Sequence, residues 1–356
     1  LRALICLIFY CYPFCTKGQD MSLWITETLQ KEKGNYTLKD IVIPGSHDAG
    51  MSVLYETAGS QKSTINECNT LTQTQSIEKQ IKDGVRMFDL RTGLLRDTVF
   101  LKHSSSDCID LAVGGGYGER LDPVLLAAKQ FLITHPKEFL ILGFSHFCPK
   151  EMTLENLATD IIKTIGKEQV YVLGSRKIQD ITIKELAGKA LIVFEATDFN
   201  HEGITNNAMV NALSANVLNF RRAYAATNNL NKMIAVQAAF FRSLAAGSAL
   251  NDLIRLDWQI TQSAEEAAMV CNAFQSDKNS PVFDGSLLVA NLLMGAKSIL
   301  AHAKKANSVL PARLDKWIAD GTINVKSKPN ILYVDAAGSW ITKYCIQLNN
   351  STLYQK

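Results

Sequence analysis

Short apolar runs alternating with amphipathic helical stretches, repeated along almost the whole chain, are the feature that most restricts this fold. "IVIPGSHDAGM" (41–51) starts as a buried strand and breaks at Pro44-Gly45. "TQSIEKQIKDG" then shows a helical apolar period ending at Gly84, with "VRMFDLRTG" and "VFLKHSS" following as strands. "LDPVLLAAKQFLITHP" predicts a helix with Asp122 as N-cap and Pro123 in the first helical position, halted at Pro136. "EFLILGFSHF", "ALIVFEATD", "LIRLDWQIT" and "NILYVDAAG" read as further strands. "MTLENLATDIIKTIG", "SLLVANLLMGAKSILAHAKKA", "LPARLDKWIADG" and "SWITKYCIQLN" read as helices. Such alternation implies a parallel sheet, and this many repeats favours a barrel over an open sheet. No linker, charge block or repeat divides the chain, so a single-domain α/β barrel is expected over residues 21–356.

Charge narrows the partners. Lys and Arg number 37 against 34 Asp and Glu, a net +3, which supplies no basic stripe for nucleic acid. That small excess is compatible with docking on an anionic lipid surface. The N-terminal "LRALICLIFYCYPFC" pairs Arg2 with an apolar run too short to span a bilayer, and it has the form of a secretory signal over residues 1–20. Export would place Cys68, Cys108, Cys148, Cys271 and Cys345 in an oxidising compartment, and their odd number leaves at least one unpaired. The pairing is open. Asn35-Tyr-Thr and Asn350-Ser-Thr are sequons that would be glycosylated in a secreted eukaryotic protein.

Four strand ends finish in groups suited to acid-base or phosphate chemistry: His47-Asp48, Asp89-x-Arg91, His103 and Asp335. In an α/β barrel these ends share one rim. Cleaving a phosphodiester needs one imidazole to take a proton from the attacking hydroxyl and another to give one to the leaving oxygen. It also needs a guanidinium to hold charge on the phosphoryl oxygens. Any one of these residues could be structural, but together they point to a catalytic site.

"IPGSHDAGM", "QSIEKQIKDGVRMFDLRTG", "VFLKHSS" and "HPKEFLILGFSHF" resemble the X domain of phosphatidylinositol-specific phospholipases C, nearest the bacterial-type enzymes and stand-alone X-domain proteins. The resemblance runs from about residue 22 to the end, weakest between 200 and 280, and implies a distorted TIM-like (β/α) barrel. By matching motif it implies that His47 is the general base for the inositol 2-hydroxyl, oriented by Asp335. His103 would be the general acid, supported by Asp48, and Arg91 would stabilise the phosphorane-like transition state. Asp89, Glu195 and Asp198 are candidates for substrate binding. The implied partner is a phospholipid at a membrane surface, met by a monomer with no transmembrane span. No cofactor is implied. Calcium-dependent relatives place Asn, Glu, Asp and Glu where this chain is expected to put Asp48, Asp89, Arg91 and Phe144, so no metal is expected either. One departure is the Ser run and Gly-rich stretch of "HSSSDCIDLAVGGGYGER" after the second His. The runner-up activity is a barrel phosphodiesterase acting on glycerophosphodiesters or another phospholipid, and a lipid-binding module without strong catalysis is the non-enzymatic alternative.

Other motifs carry less. "GFSHF" lacks the second Gly of a nucleophile elbow. "GGGYGER" lacks the Gly-Lys-Ser/Thr of a phosphate loop and reads as a flexible rim loop, while "HFC" lacks further zinc-ligand spacing. Trp258, Trp317 and Trp340 read as core residues.

Overall fold

The computed structural model describes residues 21–30, 35–146, 148, 151–173, 176–194, 220–247, 252–276 and 298–355. In chain order the main elements are β1 (Ile43–Ser46), β2 (Glu56–Ala58), α1 (Ile77–Lys82), β3 (Met87–Leu95), β4 (Thr98–Ser104) and β5 (Gly115–Arg120). There follow α2 (Leu121–Thr134), β6 (Phe139–Ser145), α3 (Leu154–Ile165), α4 (Ile183–Leu186), β7 (Lys189–Phe194) and α5 (Leu230–Ala246). The last are β8 (Arg255–Asp257), α6 (Ala264–Ser276), α7 (Ile299–Ala319), β9 (Ile331–Val334) and α8 (Ser339–Asn349).

The parallel wall expected from the alternation runs β8-β9-β1-β3-β6-β7, with Gly45 opposite Met87 and Tyr333, and Asp89 opposite Gly143. It is a distorted barrel wall rather than a regular one, because β3 continues past the wall. Its outer half, Thr92 to Leu95, pairs antiparallel with β4, β4 with β5, and β5 with β2. "VFLKHSS" therefore belongs to an antiparallel wing, not to the parallel wall that the alternation predicts.

Period-two alternation divides the apolar residues into two cores. Phe88, Leu90, Leu142, Phe144, Leu332 and Val334 face outward into the larger core, under the helices. Ile43, Met87, Ile141, Val193, Ile331 and Tyr333 point inward and fill the barrel. Trp24, Ile25 and Leu29 join this inner core from the N-terminal side. There Glu138 accepts from Arg86 Nη2 at 2.8 Å and from the Thr26 backbone at 2.7 Å, both Arg86 and Glu138 being fully buried. Apart from this buried ion pair, apolar packing fills that end of the barrel, and the polar inward side chains of β3 and β9 gather toward the other.

Three expectations need correction. "GGGYGER" is not a loop: Gly115–Arg120 forms β5. Its glycines permit close packing, since a Cβ at Gly118 would lie 2.3 Å from the Gly50 carbonyl oxygen and one at Gly116 2.3 Å from Leu54. Because β5 stays paired through Arg120, α2 begins at Leu121 with Arg120 as N-cap, and Asp122 falls in the first turn instead. There its charge still favours the helix dipole. Finally, "SILAHAKKA" and "LPARLDKWIADG" form one helix, α7, with Pro311 inside it. An interior proline costs ~3 kcal/mol; burial of Leu310, Leu314 and Trp317 along α7 holds the helix through it, and Tyr344 Oη donates to the Pro311 carbonyl at 3.1 Å. The earlier part of the predicted helix, 286–297, lies outside the described residues.

Among the described cysteines, Cys68 pairs with Cys271 and Cys108 with Cys148, while Cys345 is free and buried. Trp258 and Trp317 are core residues, 1% and 3% exposed. Among the described residues no helix is long and apolar enough to cross a membrane.

Candidate active site

The C-terminal ends of the parallel strands surround a cavity of about 650 Å³ lined by His47, Asp48, Asp89, Arg91, His103 and Asp335 among others. The local sequence explains why these side chains meet. Asp89 and Arg91 lie two residues apart on β3, as do Tyr333 and Asp335 at the end of β9, so each pair shares the inward face. At three strand ends the chain turns through a left-handed residue: Asp48 (φ 41°) after β1, His146 (φ 53°) after β6 and Ala336 (φ 48°) after β9. Such residues favour glycine or asparagine, and their use here marks turns held by the surrounding structure.

His47 Nδ1 is 2.6 Å from Asp335 Oδ1, which fixes the proton on Nδ1 and leaves Nε2 as an acceptor. Arg91 Nη2 lies 3.0 Å from that Nε2. Burial opposes a charged imidazole, but the carboxylates of Asp48 and Asp335 outweigh it and raise the His47 pKa above 6.5, with Arg91 pulling the other way. His103 Nδ1 donates to the Thr70 carbonyl at 3.0 Å, so its Nε2 also faces the cavity. Asp48 Oδ2 stands 3.5 Å from His47 Nε2 and 4.0 Å from His103 Nε2. The other Asp48 oxygen meets Arg91 Nε as an ion pair, and neither oxygen has a partner in hydrogen-bond geometry.

Asp89 is the most fully engaged carboxylate. Its Oδ2 accepts from Arg91 Nε (3.1 Å), Tyr333 Oη (2.5 Å) and the Asp48 backbone (3.2 Å), and its Oδ1 from Ser145 Oγ (2.7 Å). Burial disfavours its charge, yet Arg91 first, then His47, Tyr333 and Ser145, hold its pKa well below the usual carboxylate range. The donor atoms of His47, Asp48 and Asp89 lie within 4.8 Å of one another and could hold a cation, but Arg91 is already paired with all three.

Phe144 does not reach this site. It packs outward against Phe194, and the inward residue of β6 is Ser145, one position later. Glu195 and Asp198 lie outside the described residues. The sequence reading missed Ser145, Tyr333 and the facing wall, where Arg222, Arg255 and Gln259 line the cavity. Arg255 stacks over Tyr333 at 4.0 Å and donates to Asp257 Oδ1 at 2.5 Å. Arg255-x-Asp257 on β8 is the reverse of Asp89-x-Arg91 on β3, and that inward-facing charge pair was the available signal. His146 and Cys148 form no metal set: His146 pairs with Asp107 at 2.9 Å, and Cys148 is in a disulfide.

No family model matches the chain. It is 28% identical over 179 residues to a PI-PLC X-box domain-containing protein of Dictyostelium discoideum, covering 48% of this chain and 22% of that protein. It is 26% identical over 139 residues to PI-PLC X domain-containing protein 2 of Homo sapiens, covering 33% of this chain and 42% of that one. The chain thus spans less than half the length of either curated relative. Among solved structures, the phosphatidylinositol-specific phospholipase C of Listeria monocytogenes superposes with a TM-score of 0.58 at 16% identity, over 93% of this chain and 99% of that one. A variant of the Staphylococcus aureus enzyme gives 0.57 at 17%, over 92% and 98%. These neighbours share the distorted TIM-like barrel, and together with the sequence relatives they support the X-domain resemblance read from the motifs.

Proposed function

We propose that this chain is a phosphoric diester hydrolase or lyase that cleaves phosphatidylinositol-type lipids to diacylglycerol and inositol phosphate by acid-base catalysis with His47 and His103. The observation that carries this reading is the convergence of both Nε2 atoms on Asp48 Oδ2, with Arg91 between that carboxylate and His47. His47 Nε2, unprotonated because Nδ1 is committed to Asp335, takes the proton from the inositol 2-hydroxyl. The resulting alkoxide attacks phosphorus, and Arg91 stabilises the charge gathering on the phosphoryl oxygens. His103, protonated at Nε2 beside Asp48, gives its proton to the departing diacylglycerol oxygen. The product is a five-membered cyclic phosphate, which water opens when the two histidines exchange roles.

Asp89 has its oxygens occupied by protein donors, so in this reading it holds Arg91 rather than substrate. Arg222 and Gln259 on the facing wall, with the buried Gln259 Oε1 unpaired, are suited to the hydroxyls of the head group. Tyr224 and Val113 line the cavity while being 50% and 57% exposed, which suits a mouth meeting acyl chains. Two disulfides fit an oxidising compartment, in keeping with an export signal in residues 1–20. The test is to follow phosphorus NMR on phosphatidylinositol vesicles and, separately, on glycerophosphoinositol. A cyclic phosphate appearing first from the lipid supports the proposal. Turnover of the glycerophosphodiester alone would favour the soluble-substrate alternative, and no turnover of either would leave a binding module.

A further inference from the structure

The buried segment Thr70 to Gln73 touches each of the turns that carry the candidate catalytic groups. The Thr70 carbonyl accepts from His103 Nδ1 at 3.0 Å. Thr72 Oγ1 donates to the Asp48 carbonyl at 3.0 Å, and the Thr72 carbonyl accepts from the Ala336 backbone at 2.8 Å. Gln73 spans the pair that matters most. Its Nε2 donates to the His47 carbonyl at 2.6 Å and reaches the Val334 carbonyl at 3.4 Å, while its Oε1 accepts from the Ala337 backbone at 2.9 Å. One amide side chain therefore grips the chain at His47 and on both sides of Asp335.

None of these contacts is a generic packing contact. A planar amide with donor and acceptor fixed on opposite sides can satisfy a carbonyl and an N–H from two different turns only in one relative placement of those turns. The turns need it, since Asp48 and Ala336 occupy left-handed backbone that costs energy to maintain. The strap is itself anchored: Cys68, two residues before Thr70, is bonded to Cys271 on α6, and Asn66 Nδ2 donates to the Cys271 carbonyl at 3.0 Å.

We propose that Thr70–Gln73 is a positioning strap for the catalytic rim and that Gln73 is the positioning residue that keeps His47 in register with Asp335. Gln73 touches no reacting atom; it acts by holding the His47 and Asp335 turns at the separation their hydrogen bond requires. Catalytic groups misplaced by about 1 Å can lose ~10²-fold in rate, so a backbone clamp of this kind has kinetic weight.

The kinetic part of the test rests on the proposed phosphodiesterase reading; the spectroscopic part does not. Gln73→Met keeps the side-chain volume and removes all three of these hydrogen bonds. In protein labelled with 15N-histidine, the His47 signals, identified by their loss in His47→Gln, show which ring nitrogen carries the proton. The native protein is expected to hold the proton on Nδ1, and Gln73→Met to give a mixture of tautomers. On phosphatidylinositol vesicles kcat should fall ~10–100-fold with KM nearly unchanged. A folded Gln73→Met that keeps the Nδ1 tautomer and native kcat would overturn the proposal. If Gln73→Met does not fold, Thr72→Val and Thr72→Ser decide. The serine, which keeps the hydroxyl donor to Asp48, should retain native kcat while the valine loses it, and equal behaviour of the two would refute the strap. An inactive native enzyme with a tautomer change in Gln73→Met would sink the phosphodiesterase reading and leave the strap standing.

Discussion

The Nδ1 of His47 and the Oδ1 of Asp335 stand 2.6 Å apart although they are 288 residues apart in sequence. Adjacency of β1 and β9 brings them together, with Ser46 opposite Val334 in the last register pair before both side chains enter the cavity. This contact sets both the tautomer of the candidate base and part of its basicity.

The pH dependence follows from that basicity. A general base must be neutral, and the Asp48 and Asp335 carboxylates, prevailing over burial, raise the His47 pKa above 6.5. The acid limb of kcat/KM on phosphatidylinositol should therefore lie above 6.5, with activity falling as pH drops through it. Asp335→Asn removes one raising charge, so the limb should move to lower pH while the plateau falls. A limb that stays in place in Asp335→Asn would separate His47 from the observed ionisation.

Acid and base can be distinguished by the leaving group. His47→Ala and His103→Ala should each cost ~10²–10⁴-fold on the natural lipid, and the double variant less than the product of the two. An aryl phosphodiester of inositol leaves without much protonation, so with that substrate the His103→Ala loss should shrink and the His47→Ala loss persist. Assays of both variants on both substrates check this, and identical losses throughout would reverse or void the assignment.

Legibility in the sequence followed locality. The parallel wall could be read because β6 and β9 are short apolar runs leading to polar residues, and the apolar residues 41–43 and largely apolar residues 85–88 lead into β1 and β3. The rim could be read because period two puts Asp89 and Arg91 on one face. The antiparallel wing could not, since the alternation carries no strand direction and the glycines of β5 imitate a loop. Phe144 and Ser145 show how narrow the margin is: one residue of register in β6 exchanges a core aromatic for the hydroxyl that bonds Asp89. Gln73 was out of reach because its partners are backbone groups at the end of β9 and in the turns after β1 and β9, and backbone partners leave no mark in sequence.

The two disulfides give a stability test with a local readout. Cys108–Cys148 ties the chain after β4 to the chain after β6, and Cys68–Cys271 ties the strap to α6. Removing either should cost on the order of 2–4 kcal/mol. Cys68→Ser with Cys271→Ser should in addition loosen Thr70 and so His103, lowering kcat at temperatures where the protein stays folded, whereas the Cys108→Ser, Cys148→Ser pair should affect thermal unfolding more than kcat. Thermal melts run beside initial rates check this; a Cys68/Cys271 double variant with unaltered kcat would show that the strap holds without its anchor.

Arg91 bears on the role of metal. Its guanidinium meets His47, Asp48 and Asp89, the three residues whose donor atoms cluster closely enough for a cation, so a divalent ion would have to displace a charge already bound there. Burial disfavours the charged guanidinium, but Asp48 and Asp89 reverse this and raise its pKa well above the usual guanidinium value, so it stays cationic at every working pH. In the proposed reaction the positive charge beside the phosphoryl oxygens would thus come from the protein itself. Activity on phosphatidylinositol should survive excess EDTA or EGTA and gain nothing from added calcium. Arg91→Lys should be slower by ~10²-fold or more, because an ammonium is a point charge that cannot face Asp48, Asp89 and the substrate along separate N–H directions. Rates with chelator, with calcium and in the lysine variant are the measurement. Loss of native activity in chelator with recovery on calcium would mean that the ion, not the guanidinium, carries the charge at this rim.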